Sequence, residues 1–355
     1  MNALRLLLPA LACLGLNACG GDDSSSEPPL DDPFARIDRL AQTTYRSQRL
    51  DGMGLAIYDR DGVKVFERMY GDFSATRRVP IASASKLVSG VVLFRLIDQG
   101  FLSLDSTTAQ LLGWSGEKGA ITLRHLLSFT SGLPPENSCT YRDTSTLAEC
   151  VAAISQMDLL GPPGTRFDYG STHLHVAARM AEVATSEPWN DIFAAQVRDP
   201  LGLPADLVYY ANPLAASVSA NPLPAGGLIV SMQEYERLLH FVFDEGRWQG
   251  AALLGPEIFD VQRVQPYPSV TIGTTPGSSV ATQVRYGLTA WLECSTPASG
   301  CAIISSPGAF GFNPWLDREV GYYAILGMRV PNDRVGFVVD FKQQLKPMIA
   351  EALAR

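Results

Sequence analysis

Residues 81–100 read IASASKLVSGVVLFRLIDQG, in which a serine and a lysine three positions apart open a long apolar run. Most positions from Leu87 to Ile97 are apolar, which predicts a helix buried on all sides, running from Ser83 to Gln99 and ended by Gly100. Residues i and i+3 share one face of a helix, with Cβ atoms about 5–6 Å apart. A Lys86 amine whose pKa is lowered by burial could therefore take the proton of the Ser83 hydroxyl.

The flanking segments predict an α+β fold. Residues 32–50 have helical periodicity, and residues 52–72 have the pattern of two strands joined by a turn at Asp59–Gly62. Residues 105–245 are mostly helical in pattern, with breaks at proline and glycine. Four β-rich runs follow and precede a closing helix at residues 342–355; the runs are residues 285–294, 301–312, 321–330 and 335–341.

Strands at both ends of the chain, with helices between them, predict one antiparallel sheet assembled from the two termini and flanked by helices. The predicted domain covers residues 34–355. Its α/β lobe comprises residues 34–95 and 225–355, and residues 96–224 form an inserted helical lobe.

The N-terminus has the pattern of a secretory signal. Arg5 is followed by an apolar run from Leu6 to Leu16, which is too short to cross a bilayer as a helix. Residues 16–19, Leu-Asn-Ala-Cys, resemble the bacterial lipobox, in which the cysteine becomes the lipidated first residue. We therefore expect a signal peptide at residues 1–18, lipidation of Cys19, and a flexible polar tether over residues 19–33. The alternative is an ordinary signal peptide with a chance cysteine.

This segment predicts an extracytoplasmic bacterial lipoprotein, facing the periplasm or held in the outer membrane. Four cysteines remain for an oxidising compartment, and proximity along the chain favours the pairs Cys139–Cys150 and Cys294–Cys301 among the three connectivities possible. A zinc site would need different spacing and usually histidine ligands. The formal net charge of −8 argues against nucleic acid as a partner.

The serine–lysine pair also begins an ordered set of motifs that resembles the penicillin-binding proteins and serine β-lactamases. The set runs from about residue 35 to 350: SASK (83–86), TSGL (130–133), YGS (169–171) in place of Tyr-x-Asn, AGG (225–227), and SPG (306–308) in place of Lys-Thr-Gly. The resemblance implies the β-lactamase/transpeptidase-like fold. It is strongest to the class C branch, which includes β-lactamase-fold carboxylesterases.

Carried over by position, the resemblance makes Ser83 the acylated nucleophile and Lys86 its proton partner. Tyr169 would act as general base and later as proton donor to the leaving group. The backbone N–H groups of Ser83 and Ala309 would form the oxyanion hole. Gly308 fits a strand position that substrate backbone approaches closely. The alternative is that Tyr169 has no catalytic role and that its aromatic ring anchors a loop.

The departures from the family pattern concern substrate binding. Ser171 replaces an asparagine and offers no amide N–H, while Ser306 and Pro307 replace a cation and a threonine. These changes weaken recognition of a β-lactam or a peptide carboxylate but leave acyl transfer possible. Phe310, with Phe312 and Trp315, fits either an acyl pocket or the core.

The sequence therefore predicts a serine hydrolase that needs no metal or cofactor and acts by two-step acyl transfer through Ser83. Its small-molecule substrate would be an ester, with hydrolysis of β-lactams or D-amino-acid peptides and amides as the alternative. A non-catalytic binding protein that keeps the fold is the alternative from another class. The absence of a G-x-S-x-G elbow argues against an α/β-hydrolase.

Overall fold

The structure, a computed structural model, describes residues 32–276, 285–294 and 300–355. The predicted signal peptide, Cys19 and nearly all of the predicted tether lie outside these residues. Among the helices of the described part, none is long and apolar enough to cross a membrane.

The strands form one large sheet and three small pairs. The six-stranded sheet is antiparallel throughout, in the order β2-β1-β12-β11-β10-β9. Its strands are β1 Gly52–Asp59, β2 Lys64–Gly71, β9 Trp291–Leu292, β10 Ile303–Ser305, β11 Asn313–Asp317 and β12 Tyr322–Met328. The short pairs are β3 Val79–Pro80 with β5 Ile229–Val230, β4 Arg166–Phe167 with β8 Thr271–Ile272, and β6 Arg247–Trp248 with β7 Ala251–Ala252.

The helices lie mostly between the two groups of sheet strands. They are α1 Ala35–Ser47, α2 Ser85–Asp98, α3 Thr108–Leu112, α4 Gly116–Gly119, α5 Leu123–Leu127, α6 Leu147–Ser155, α7 Thr172–Thr185, α8 Trp189–Phe193, α9 Met232–Phe243, α10 Glu257–Gln262 and α11 Val335–Leu353. Reciprocal capping boxes start α3, α5, α6 and α9, so their first backbone N–H groups are satisfied locally.

The sheet separates two apolar layers. Along β1, Leu55 and Ile57 pack into a core with residues of α1 and α11, whereas Ala56 and Tyr58 face the core that contains α2 and α9. This alternation follows from the two-residue repeat of a strand. The fold expectation is confirmed, since β1 from the N-terminal part pairs with β12 from the C-terminal part. The boundaries of the two predicted lobes stay predictions.

The predicted strand at residues 335–341 is wrong, because these residues form the first two turns of α11. Their β-branched composition suggested a strand. The buried positions of the segment, Val338, Val339 and Phe341, continue in helical spacing to Leu345 and Ile349. Packing of this helical stripe against the sheet overrides the local preference of valine for strands.

The two predicted cysteine pairs are disulfide-bonded in the structure. Cys139–Cys150 joins the turn before α6 to α6 itself, and Cys294–Cys301 links the segments on either side of residues 295–299. Both bonds lie in the chain that follows the predicted signal.

Candidate active site

Ser83 lies at a sharp corner between β3 and α2. It is the middle residue of a 3₁₀ turn, Ala82–Ala84, that leads directly into α2. Ala82 has φ 45°, a left-handed conformation that is uncommon for a residue with a side chain. The corner is held by hydrogen bonds from the Ile81 N–H to the Leu228 carbonyl (3.1 Å) and from the Tyr235 hydroxyl to the Ala84 carbonyl (2.9 Å).

Lys86 lies one helical turn beyond Ser83, as the spacing predicts. Its Nζ donates to Ser83 Oγ at 3.0 Å and to the Ala225 carbonyl at 2.9 Å. The side chain is buried, and burial lowers its pKa from 10.5 to about 8, while the carboxylate of Glu136 opposes that shift. The neutral amine is therefore accessible near physiological pH.

Tyr169 lies on the other side of Ser83, in the loop between β4 and α7. Its hydroxyl forms hydrogen bonds with Ser83 and with Trp291, and Lys86 Nζ lies 4.8 Å from the centre of its ring. An indole N–H can only donate, so Trp291 donates to the phenol oxygen. Trp291 was not predicted; it is more than 120 residues from Tyr169, and no motif marks it.

The relative acidities of Lys86 and Tyr169 decide which of them is the base. Burial raises the pKa of Tyr169 to about 12, and the hydrogen bonds from Ser83 and Trp291 lower it only in part. The pKa of Lys86 is about 8. At neutral pH the phenol thus keeps its proton while a fraction of Lys86 is neutral, which favours Lys86 as the group that deprotonates Ser83.

The predicted oxyanion hole has the required free donors. The backbone N–H groups of Ser83 and Ala309 have no acceptor among the described residues. The protein's own backbone requires a glycine at position 308, because a Cβ there would collide with the carbonyl oxygen of Ile81, and the predicted approach of a substrate to Gly308 stays a prediction. The absence of a side chain lets this segment approach the corner that carries Ser83.

Ser306 holds the nucleophile's backbone. Its Oγ donates to the Ser83 carbonyl at 3.1 Å, and within the described residues it makes no hydrogen bond to a cation. The nearby Lys342, a buried residue of α11, contacts the residue before Ser306. Its Nζ donates to Ser305 Oγ and to Glu293. Consecutive residues of a strand point to opposite faces, so Lys342 does not replace the cation that the family carries at position 306.

Ser171 is buried at the start of α7 and contacts a carboxylate. Its N–H and its Oγ both donate to Glu136 Oε1, at 3.1 and 3.2 Å, and the Tyr141 hydroxyl donates to Glu136 Oε2 at 3.2 Å. Partial desolvation raises the pKa of Glu136, and Lys86 and these hydrogen bonds counteract the rise. Glu136 was not predicted, although only two prolines separate it from the TSGL stretch.

The three aromatic residues near the third motif separate into two groups. Phe312 and Trp315 are fully buried and belong to the core. Phe310 is partly exposed and lines an open groove with Pro80, Leu214 and Arg329. The role of Phe310 as a substrate contact stays a prediction.

Comparisons with known proteins identify the family. The beta-lactamase family model matches residues 37–354. A structure from Bacteroides dorei DSM 17855, described as that of a candidate β-lactamase, superposes with a TM-score of 0.79 and 27% identity, covering 91% of this chain and 99% of that chain.

Two curated relatives match over shorter segments. Penicillin-binding protein 4 of Amycolatopsis lactamdurans is 32% identical over 127 residues, which is 34% of this chain and 33% of that protein. The D-alanyl-D-alanine-carboxypeptidase/endopeptidase AmpH of Escherichia coli (strain K12) is 25% identical over 214 residues, 53% of this chain and 54% of that protein. The matches thus span between a third and about half of these relatives. Since the family model covers nearly all of the described chain, the protein belongs to the beta-lactamase family.

Proposed function

We propose that the protein is a carboxylesterase that hydrolyses small esters through an acyl-enzyme intermediate on Ser83. The observation that carries the proposal is the contact chain in which Lys86 donates to Ser83 Oγ and Ser83 contacts the Tyr169 hydroxyl. A serine hydroxyl flanked by a desolvated amine and a phenol has both a proton acceptor and a proton relay within reach.

In the first half-reaction, Ser83 Oγ attacks the ester carbonyl carbon while neutral Lys86 takes the hydroxyl proton. The negative charge that develops on the carbonyl oxygen meets the free N–H groups of Ser83 and Ala309. The tetrahedral intermediate then expels the alcohol oxygen. This oxygen receives a proton from the Tyr169 phenol, which Lys86 reprotonates.

In the second half-reaction, water attacks the ester on Ser83. The same pair, Lys86 and Tyr169, removes a proton from the water and returns one to Ser83 Oγ. The carboxylic acid is released and the starting hydroxyl is restored, so atoms and protons balance without any further reactant.

The ester class is favoured by the groups that surround Ser83. A β-lactam or a peptide C-terminus brings a carboxylate, which is ordinarily stabilised by a cation. Here the Ser306 hydroxyl donates to the Ser83 carbonyl and the Ser171 hydroxyl donates to Glu136, so neither is free for a carboxylate. Pro307 has no N–H to offer. A neutral ester needs none of these missing contacts.

Peptidase or β-lactamase activity is the second candidate, supported by the names of the curated relatives AmpH and penicillin-binding protein 4. A binding protein without catalysis is the third. The preserved contacts among Ser83, Lys86 and Tyr169 argue against it, because an unused site gains nothing from a desolvated lysine.

The deciding experiment compares hydrolysis of a p-nitrophenyl ester of a short acid with hydrolysis of a chromogenic cephalosporin. We expect ester turnover by the wild type, little cephalosporin turnover, and loss of ester turnover by at least 10³-fold in Ser83→Ala. The matched control is Ser115→Ala, since Ser115 is exposed and its side chain makes no capping hydrogen bond. Cephalosporin turnover equal to ester turnover would support the second candidate, and no turnover of either substrate would support the third.

A further inference from the structure

Glu136 presents a fixed carboxylate at Ser171, the last residue of the YGS motif that begins with Tyr169. The residue is solvent-exposed, yet its carboxylate is held by the Ser171 N–H, the Ser171 hydroxyl and the Tyr141 hydroxyl. The loop that carries it is fastened to the start of α7, because the Pro135 carbonyl accepts from the N–H groups of Ser171 (2.8 Å) and Thr172 (3.1 Å). An exposed glutamate normally samples several rotamers, whereas this one is oriented on both oxygens.

The carboxylate keeps capacity for a ligand. Two carboxylate oxygens together accept about four hydrogen bonds. Oε1 receives one from the Ser171 hydroxyl and shares the Ser171 N–H with the Pro135 carbonyl, and Oε2 receives one from Tyr141. Oε2 is therefore open to a further donor or a positive charge from solvent.

Glu136 also acts electrostatically on the catalytic groups. The carboxylate is hydrogen-bonded to Ser171, two residues beyond Tyr169, and its charge raises the pKa of both Lys86 and Tyr169. Part of a substrate bound at Ser83 must then lie within the same field.

The positive charges near Ser83 are engaged within the protein and are not available to bind an anionic substrate group. Lys86 is buried, and its Nζ donates to Ser83 Oγ and to the Ala225 carbonyl. Position 306, where the family carries a cation, is a serine whose hydroxyl donates a hydrogen bond to the Ser83 carbonyl. Lys342, behind the strand, is paired with Glu293. The site therefore presents a fixed negative charge and offers no free positive charge among these groups.

We propose that Glu136 makes the site selective for esters whose acyl group carries a cationic ammonium group, and against esters whose acyl group carries an anion. This inference rests on the proposed esterase function and specifies its substrate class. Ser171, which stands where the family carries asparagine, contributes directly, because its N–H and its hydroxyl orient the carboxylate.

The test uses three p-nitrophenyl esters with one leaving group and similar acyl length. The 4-(trimethylammonio)butanoate is cationic, the 5,5-dimethylhexanoate is its neutral isostere, and the 4-sulfobutanoate is anionic. We expect kcat/KM of the wild type to be about tenfold higher for the cationic than for the neutral ester and lowest for the anionic ester, with the preference falling as salt increases.

Glu136→Gln keeps the shape of the side chain and removes its charge, so the ratio of cationic to neutral kcat/KM should fall to about one. The ratio cancels any effect of the substitution on Lys86, because both esters use the same base. Tyr141→Phe should lower the ratio in part by releasing Oε2. The control is Glu187→Gln, an exposed carboxylate just beyond the far end of α7, about 20 Å along a helix of this length.

The outcomes separate the two claims. Turnover of the neutral ester that depends on Ser83, without a preference for the cationic ester, would overturn the inference and leave the esterase function standing. A preference that persists in Glu136→Gln would overturn it as well. Failure to cleave any of the three esters would contradict the esterase function itself.

Discussion

At the scale of the residue, the lowered pKa of Lys86 sets the pH dependence of the reaction. The neutral amine is the active form, and burial lowers its pKa to about 8, so kcat/KM should rise with pH and level off above pH 9. Glu136→Gln removes a charge that raises the pKa of Lys86, so the rise should move to lower pH in that variant. Tyr169→Phe should lower the rate without moving the midpoint.

The profile is measured as kcat/KM for a neutral ester between pH 5 and 11, with the uncatalysed rate subtracted. A midpoint above pH 10 that is displaced or abolished in Tyr169→Phe would contradict the assignment of Lys86 as the base. It would make the Tyr169 phenolate the base, as the family resemblance alone suggests.

What the sequence revealed of these residues depended on distance along the chain. Ser83 and Lys86 were predictable because they lie within one helical turn, where spacing alone determines contact. Trp291 and Glu136 meet Tyr169 and Ser171 only after the chain folds back over many residues, and a single indole or carboxylate has no local signature. The order of the pKa values was equally hidden, since burial is a property of the folded chain.

At the scale of the element, Gly308 governs how closely the segment after β10 approaches the corner before α2. Gly308→Ala would press a methyl group against the Ile81 carbonyl and displace Ala309, whose N–H is part of the proposed oxyanion hole. We expect kcat for a neutral ester to fall by about 10²-fold or more, as expected for loss of one oxyanion donor.

The matched control is Gly226→Ala. A Cβ at Gly226 meets Leu223 at 3.4 Å and Ala82 at 3.7 Å, which are ordinary contacts at the same corner. This variant should keep kcat within a few-fold of the wild type. Full activity of Gly308→Ala with an unchanged melting temperature would show that the segment does not supply the donor.

Elements were predictable where one periodicity dominates. The β1–β2 hairpin and α2 follow from an Asp-Gly turn and from a long apolar run, both local patterns. Residues 335–341 were misassigned because valine-rich composition and helical spacing disagree there, and only the apolar layer beneath α11 decides between them.

At the scale of the whole molecule, the fold was recognisable because five motifs occur in order over most of the chain. Each motif alone is short enough to arise by chance, whereas their order reflects the path that brings them around Ser83. The charge of the site could not be read in this way, because it depends on which side chains neutralise each other across the fold. Lys342 illustrates the point, since its sequence position does not reveal that Glu293 neutralises it.

The attachment of the molecule to a membrane is the remaining prediction at this scale. We propose that Cys19 is lipidated after removal of residues 1–18, and that residues 20–33 tether the enzyme to the membrane. Expressed in a bacterial host with labelled palmitate, the wild type should carry label and enter the detergent phase on Triton X-114 partitioning, because more than one acyl chain gives stable anchoring. Cys19→Ser should be unlabelled and enter the aqueous phase, while Cys13→Ser, altered within the apolar run, should behave as the wild type. An unlabelled wild type released into the aqueous phase would identify residues 1–18 as an ordinary signal peptide.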